Sequence, residues 1–121
     1  MNVAISINMN LAAMVSNGVD LRMTRTEQSL NRFLHAIADP TRRKILATLR
    51  ERGGCSIDKA TGLCAVDIEQ RIHVTQPTVS HHMAILSKAG LVDAKKEGLW
   101  RWYQRNDKAI AEMTKFLKEN L

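Results

Sequence analysis

Apolar residues recur at helical spacing along most of this chain and give way to alternation that fits no helical face only late in the sequence. Thr24 and Glu27 fit a capping box that opens a helix with Leu30, Phe33, Leu34 and Ile37 on one face. Asp39-Pro40 predicts a second start, with Asp39 as N-cap and Pro40 in the first helical position. Ile45, Leu46 and Leu49 form its buried side, and Gly53-Gly54 end it. After a loop over residues 53–64, Val66, Ile68, Ile72 and Val74 bound a helix of about two turns. His73-Val74 then turns into a third amphipathic segment, with Thr75 as N-cap, Gln76-Pro77 in the first turn and Gly90 as a left-handed stop. In that segment Val79, Met83 and Leu86 form the core stripe, while Pro77, His81, Ala84 and Lys88 point away from it.

Beyond Gly90 the period falls to two. Leu91 to Lys95 and Leu99 to Arg105 flank a turn containing Lys96-Glu97-Gly98, which predicts a β-hairpin. A last helix begins near Asn106 or Asp107 and carries Ile110, Met113, Phe116, Leu117 and Leu121 on one side. In so small a protein that face needs a cover, either the first helix of the same chain or the matching helix of a second copy. Residues 1–23 fit two patterns: Val3, Ile5, Ile7 and Met9 alternate, yet Val3, Ile7, Leu11, Met14 and Val15 also share a helical face. The expected organisation is an N-terminal arm over 1–23, helical and part of a dimer interface, followed by one domain over 24–121.

The segment opening at Thr75 is the chemically informative one. Its exposed side offers hydroxyls, an amide and an imidazole with few carboxylates, a set suited to base edges in the DNA major groove. Two short helices joined by a tight turn, the second bearing such groups, form a helix-turn-helix. The formal charge of +6 over 121 residues favours a polyanionic partner, although net charge fits an unspecialised basic protein equally well. Lys95, Lys96, Arg101 and Arg105 can meet phosphates, or they can simply solvate the hairpin. The same two readings stand open for Arg42, Arg43 and Lys44 near the start of the second helix.

No run approaches the roughly 18 apolar residues of a membrane span, and the N-terminus lacks a charged leader ahead of a long apolar core. Two cysteines make no disulfide scaffold, so the expected compartment is a reducing cytoplasm.

Four ordered motifs carry a family resemblance: Ala38-Asp39-Pro40-Thr41-Arg42-Arg43-Lys44-Ile45-Leu46, Gln76 through Met83, Ala89-Gly90-Leu91-Val92, and Gly98-Leu99-Trp100-Arg101-Trp102-Tyr103. Over roughly residues 27–118 the chain resembles the ArsR/SmtB family of small dimeric winged-helix repressors of prokaryotes. The resemblance implies a mainly α (α+β) winged helix-turn-helix with a two-stranded wing, dimerising through its N- and C-terminal helices. It further implies a homodimer on a palindromic double-stranded DNA operator. Gln76, Thr78, Ser80 and His81 are then the expected base-edge readers, and Thr75, Lys88, Lys95, Lys96 and Arg101 the phosphate contacts. Two positions depart from the family pattern: Leu99 stands where a basic wing residue is common, and Arg101 where an apolar one is.

Members of this family often release DNA when a metal or metalloid binds, or when thiols oxidise. One family pattern places Cys-x-Cys-Asp at the start of the helix before the groove helix. Here Cys64 and Asp67 match it, but Val66 replaces the second thiol. Residues 106–121 contain no histidine for a zinc site on the last helix. Cys55 and Cys64 are therefore the candidates for a thiophilic inducer such as As(III), Cd or Zn, or for a reversible disulfide. Ordinary thiols in a constitutive DNA-binding regulator are the plainer alternative. His73, His81 and His82 read as DNA-contacting or packing residues, and His35 as a core-edge residue.

Other classes fare worse. A thiol-exchange enzyme lacks a Cys-x-x-Cys motif. A hydrolase on Ser80 and His81 fails because adjacent helical residues point about 100° apart. A winged-helix module that docks an acidic protein keeps the fold and changes only the partner.

Overall fold

The structure, a computed structural model, describes residues 24–50 and 62–121. The arm over 1–23, the Gly53-Gly54 helix stop and Cys55 lie outside the described residues. Residues Arg32–Leu121 form one compact unit, and the start of the first helix, up to Asn31, belongs to another.

Helix α1 (Arg25–Ile37) opens on the capping box expected from sequence. The Glu27 amide donates to Thr24 Oγ1 at 3.0 Å, and Glu27 Oε2 accepts from the Thr24 amide at 3.1 Å. Only Ala38 and Asp39 separate it from α2 (Pro40–Arg50). There Asp39 Oδ2 accepts the Arg42 amide at 3.0 Å, and Pro40 fills the first helical position. The Asp39 carboxyl is held below its ordinary pKa, first by that amide and also by the Arg42 charge.

Strand β1 (Leu63–Cys64) leads directly into α3 (Ala65–Ile72), and α4 (Gln76–Lys88) follows a three-residue turn. His73 stops α3 in the left-handed region (φ 63°), where its amide bonds Glu69 O at 2.9 Å. The end of α4 is a Schellman motif: the Gly90 amide (φ 77°) donates to Ser87 O and the Leu91 amide to Leu86 O, each at 3.0 Å. The wing comprises β2 (Val92–Glu97) and β3 (Trp100–Arg105), with Lys96 directly opposite Arg101 and Lys95 opposite Trp102. Helix α5 (Asp107–Glu119) closes the chain. Its N-cap Asn106 accepts from the Ala109 amide at 3.0 Å.

Most of the core is built where sequence placed it, although Leu34 of the α1 face and Val66 of α3 are exposed. Ile45 and Leu49 of α2, Ile68 of α3, and Val79, Met83 and Leu86 of α4 are buried together with Leu91, Val92 and Tyr103. The residues expected to point away from α4's stripe, Pro77, His81, Ala84 and Lys88, are all exposed. A winged helix-turn-helix is thus present, with one addition. Sequence reading left Leu63–Cys64 in a loop, but these two residues pair with β3 and extend the hairpin to a sheet of order β1-β3-β2. A strand of two residues has too little alternation to announce itself.

Candidate nucleic-acid interface

Helix α4 stands on α2 and α3 through its apolar stripe, which fixes its opposite side toward solvent. Thr75, Gln76, Ser80 and His81 are exposed there, and Thr78 is half-buried. Thr75 occupies the N-cap position without capping by its side chain. Its hydroxyl instead lies 3.0 Å from that of Thr78, so the two present a joined pair of hydroxyls at the helix start. The first turn of α4 holds no acidic residue that would repel a phosphate or a base acceptor.

The wing lies beside this helix start. Gln76 lines a cleft of about 300 Å³ with Ala65 and Val66 of α3 and with Lys96, Leu99, Trp100 and Arg101 of the wing. Strand alternation divides the basic residues that sequence reading grouped together. Lys96 and Arg101 face one another on this cleft. Lys95 lies on the other face, its ammonium 5.8 Å from the Trp102 ring centroid. Arg105 does not join them. It turns into the body, donating to Asp107 Oδ1 at 2.6 Å and to Leu46 O at 3.0 Å, so neither of its two expected roles, phosphate contact or solvated hairpin charge, is met. Lys88 sits at the far end of α4, about 18 Å along the axis from Gln76 at the usual rise per residue.

Arg42 corrects a second expectation. It is neither solvated nor aimed at phosphate, being 7% exposed. Its guanidinium donates to Ala36 O at 2.7 Å and His35 O at 3.0 Å, and it lies 3.2 Å from His82 Nδ1. The Arg43 guanidinium likewise donates to Ile37 O at 2.7 Å. These arginines cap the C-terminal carbonyls of α1, which a two-residue link brings against the first turn of α2. The signal was available in the sequence: a helix that ends immediately before Asp39-Pro40 leaves its last carbonyls within reach of that turn's side chains.

His82 is half-buried and packs against Arg42. Arginine only donates, so His82 Nδ1 accepts and the ring is neutral with its proton on Nε2. Partial burial lowers its pKa most; Asp39 opposes the shift, and the Arg42 and His81 charges add to it.

Cys64 is fully buried and serves as N-cap of α3. Its Sγ donates to Asp67 Oδ2 at 3.1 Å, and its amide to the same oxygen at 3.4 Å. Among the described residues, no three His, Cys, Asp or Glu side chains cluster as metal ligands would. No helix among them is long and apolar enough to cross a membrane. Val66 and Trp100 belong to the cleft, although sequence reading placed neither among the functional positions. Their partial exposure beside Gln76 was not visible from periodicity.

Comparison with known proteins agrees with this arrangement. The profile described as "Bacterial regulatory protein, arsR family" matches residues 39–94. The chain is 40% identical over 84 residues to an uncharacterized HTH-type transcriptional regulator of Methanocaldococcus jannaschii, covering 69% of this chain and 85% of that one. It is 32% identical over 83 residues to the transcriptional repressor SdpR of Bacillus subtilis, covering 69% and 82% respectively. An arsenical resistance operon repressor of Staphylococcus aureus is 35% identical over 79 residues, with 65% and 67% covered. Among solved structures, an ArsR-like transcriptional regulator from Rhodococcus sp. RHA1 shares the fold with a TM-score of 0.64, at 22% identity over 79% of this chain and 82% of that one. The chain belongs to the arsR family of bacterial regulatory proteins, DNA-binding transcription regulators built on a winged helix-turn-helix.

Proposed function

We propose that this chain is a homodimeric repressor that lays one α4 per subunit in successive major grooves of an imperfect palindrome. The observation that carries the reading is the solvent face of α4, where Gln76, Ser80 and His81 project beside the Thr75–Thr78 hydroxyl pair. Gln76 can read adenine through two hydrogen bonds. Lys96 and Arg101 take phosphates of the strand that crosses the cleft between α4 and the wing. Lys95 and Lys88 reach only flanking backbone, from the other wing face and from the far end of α4.

A second copy is supported by α5. That helix is amphipathic, yet none of its residues is buried within the chain, and Ile110, Met113, Phe116 and Leu117 are left half-covered. An isologous contact through this face sets the two α4 helices about 34 Å apart, one turn of DNA.

For release by a thiol-reactive inducer, Cys64 is the lever to test. Its thiol and Asp67 hold the start of α3, the first helix of the helix-turn-helix. A metalloid or oxidant that captured this sulfur, with or without Cys55, would loosen that helix and misplace α4. The DNA reading stands without an inducer.

Operator selection from random duplexes, followed by determination of the mass of the complex, tests the proposal. A palindromic consensus bound by two chains is expected; a monomeric complex or no enriched sequence would overturn it. Repeating the titration with arsenite, cadmium and an oxidant, on the wild type and on Cys64→Ser, tests release. Unchanged release by the variant would remove Cys64 from the mechanism.

A further inference from the structure

The tip of the wing is a two-residue loop. Glu97 pairs with Trp100, Gly98 takes φ 61°, and Leu99 has no positive φ, which defines a type II′ turn with glycine in its first central position. The second central position then projects from the end of the hairpin. A polar residue is the usual occupant of such a site, but here it is a leucine 99% exposed. Trp100 beside it is 45% exposed and Val66 across the cleft 40% exposed. These three are contiguous along one cleft, unlike the scattered single apolar residues normal on a surface.

The charges around the tip indicate what it meets. Lys96 and Arg101 stand directly opposite on neighbouring strands, a like-charge pair that an anion between or above them stabilises, and the Arg101 guanidinium also hydrogen-bonds the Tyr103 hydroxyl. A second copy of a chain with formal charge +6 is poorly matched to that pair. Duplex DNA is well matched, and the adjoining wall of the cleft is Gln76 at the start of α4. With α4 in the major groove, the strand between grooves crosses the cleft and the wing tip arrives at the neighbouring minor groove. Proteins that insert leucine, phenylalanine or proline between base steps there unstack and kink the duplex.

We infer that Leu99 is such a wedge: the wing carries it into the minor groove beside the major-groove site, where it partly unstacks one base step while Lys96 and Arg101 hold the flanking phosphates. The inference rests on the DNA-binding reading above. It assigns the chain a sequence preference at a position that α4 does not touch, for easily unstacked TA or CA steps.

The test uses the full chain and a selected operator carrying 2-aminopurine at successive positions outside the α4 half-site. Binding of wild type is expected to raise fluorescence at one step. Leu99→Ala should abolish that rise and weaken binding about tenfold for each wing that inserts, the scale of burying one leucine. Leu99→Arg should recover affinity through phosphates without recovering the fluorescence. A rise unchanged in Leu99→Ala, or operator binding with no rise at any position, overturns the wedge while leaving the DNA reading intact. Failure to bind any duplex at low salt overturns both. Anionic vesicles provide the remaining arm: vesicle binding that needs Leu99, with operator binding indifferent to it, would assign the tip to a lipid surface instead.

Discussion

The Arg42 guanidinium meets His82 Nδ1 at 3.2 Å, joining the first turn of α2 to the helix proposed to read DNA. The same guanidinium holds two terminal carbonyls of α1. One buried cation thus ties three helices together and holds α4 through His82.

Replacing Arg42 with alanine leaves those carbonyls and the imidazole unpaired in a largely dry site. The expected loss is about 2–4 kcal/mol of stability, the scale of losing a buried charged donor with several acceptors. Lysine recovers little, because an ammonium cannot reproduce the fork that spans Ala36, His35 and His82. Denaturant unfolding of wild type, Arg42→Ala and Arg42→Lys checks this; a change within 0.5 kcal/mol, about what a surface substitution gives, would contradict the capping role.

His82 gives stability a pH dependence whose sign is fixed by its lowered pKa. The unfolded chain takes up a proton near the ordinary value of 6.5, whereas the folded chain takes it up only at lower pH. Below that value the unfolded state binds more protons. The stabilisation is therefore complete above pH 6.5 and is lost as pH falls from there through the folded value. His82→Gln, which keeps an acceptor and cannot titrate, should flatten this part of the profile in thermal unfolding measured between pH 5 and 8. An identical slope in the variant would assign the dependence to other groups.

Gly62 is a second structural fixed point. At φ 94°, a Cβ there would run into the Tyr103 carbonyl and the edge of the Trp102 ring. Gly62→Ala should cost about 1–3 kcal/mol by forcing β1 away from β3, with left-handed strain added. Gly98 also has positive φ but opens onto free space, so Gly98→Ala should cost less and only through backbone strain. Comparing the two denaturation midpoints separates these causes. Equal losses would show that the close approach at Gly62 does not matter.

The division of the wing cations predicts unequal salt effects. Lys96→Ala and Arg101→Ala should each lower the slope of log affinity against log salt by about one per subunit, as expected for lost phosphate contacts. Lys95→Ala should lower the slope by clearly less than either, since its ammonium stands on the Trp102 face and reaches only flanking backbone. Equal effects from Lys95 and Lys96 would mean that the wing meets DNA edge-on.

Most of the helix-turn-helix was legible in sequence because its signals are local and mutually consistent. Asp39-Pro40, Thr24 with Glu27, and Gly90 act within a turn of themselves, and Val79, Met83 and Leu86 repeat at the period that buries them. What remained hidden depends on contacts across the fold. Arg42 is the exception, a local cap on the α1 carbonyls that the helix end just before Asp39-Pro40 already signalled. Lys95 and Lys96 are neighbours in sequence but lie on opposite faces of the wing. Arg105 was lost to the wing because Leu46 O and Asp107 claim it. Leu99 was recognised only as a departure from the family pattern, and its meaning came from the turn that exposes it.

The central claim is that the exposed side of α4 reads bases, and Gln76 tests it most directly. Fluorescence anisotropy should follow binding of wild type and Gln76→Ala to the selected operator and to a scrambled duplex at equal salt. The expected result is a loss of about 1–3 kcal/mol per half-site on the operator, with affinity for the scrambled duplex unchanged. Equal losses on both duplexes, or no loss on either, would contradict base reading by this helix.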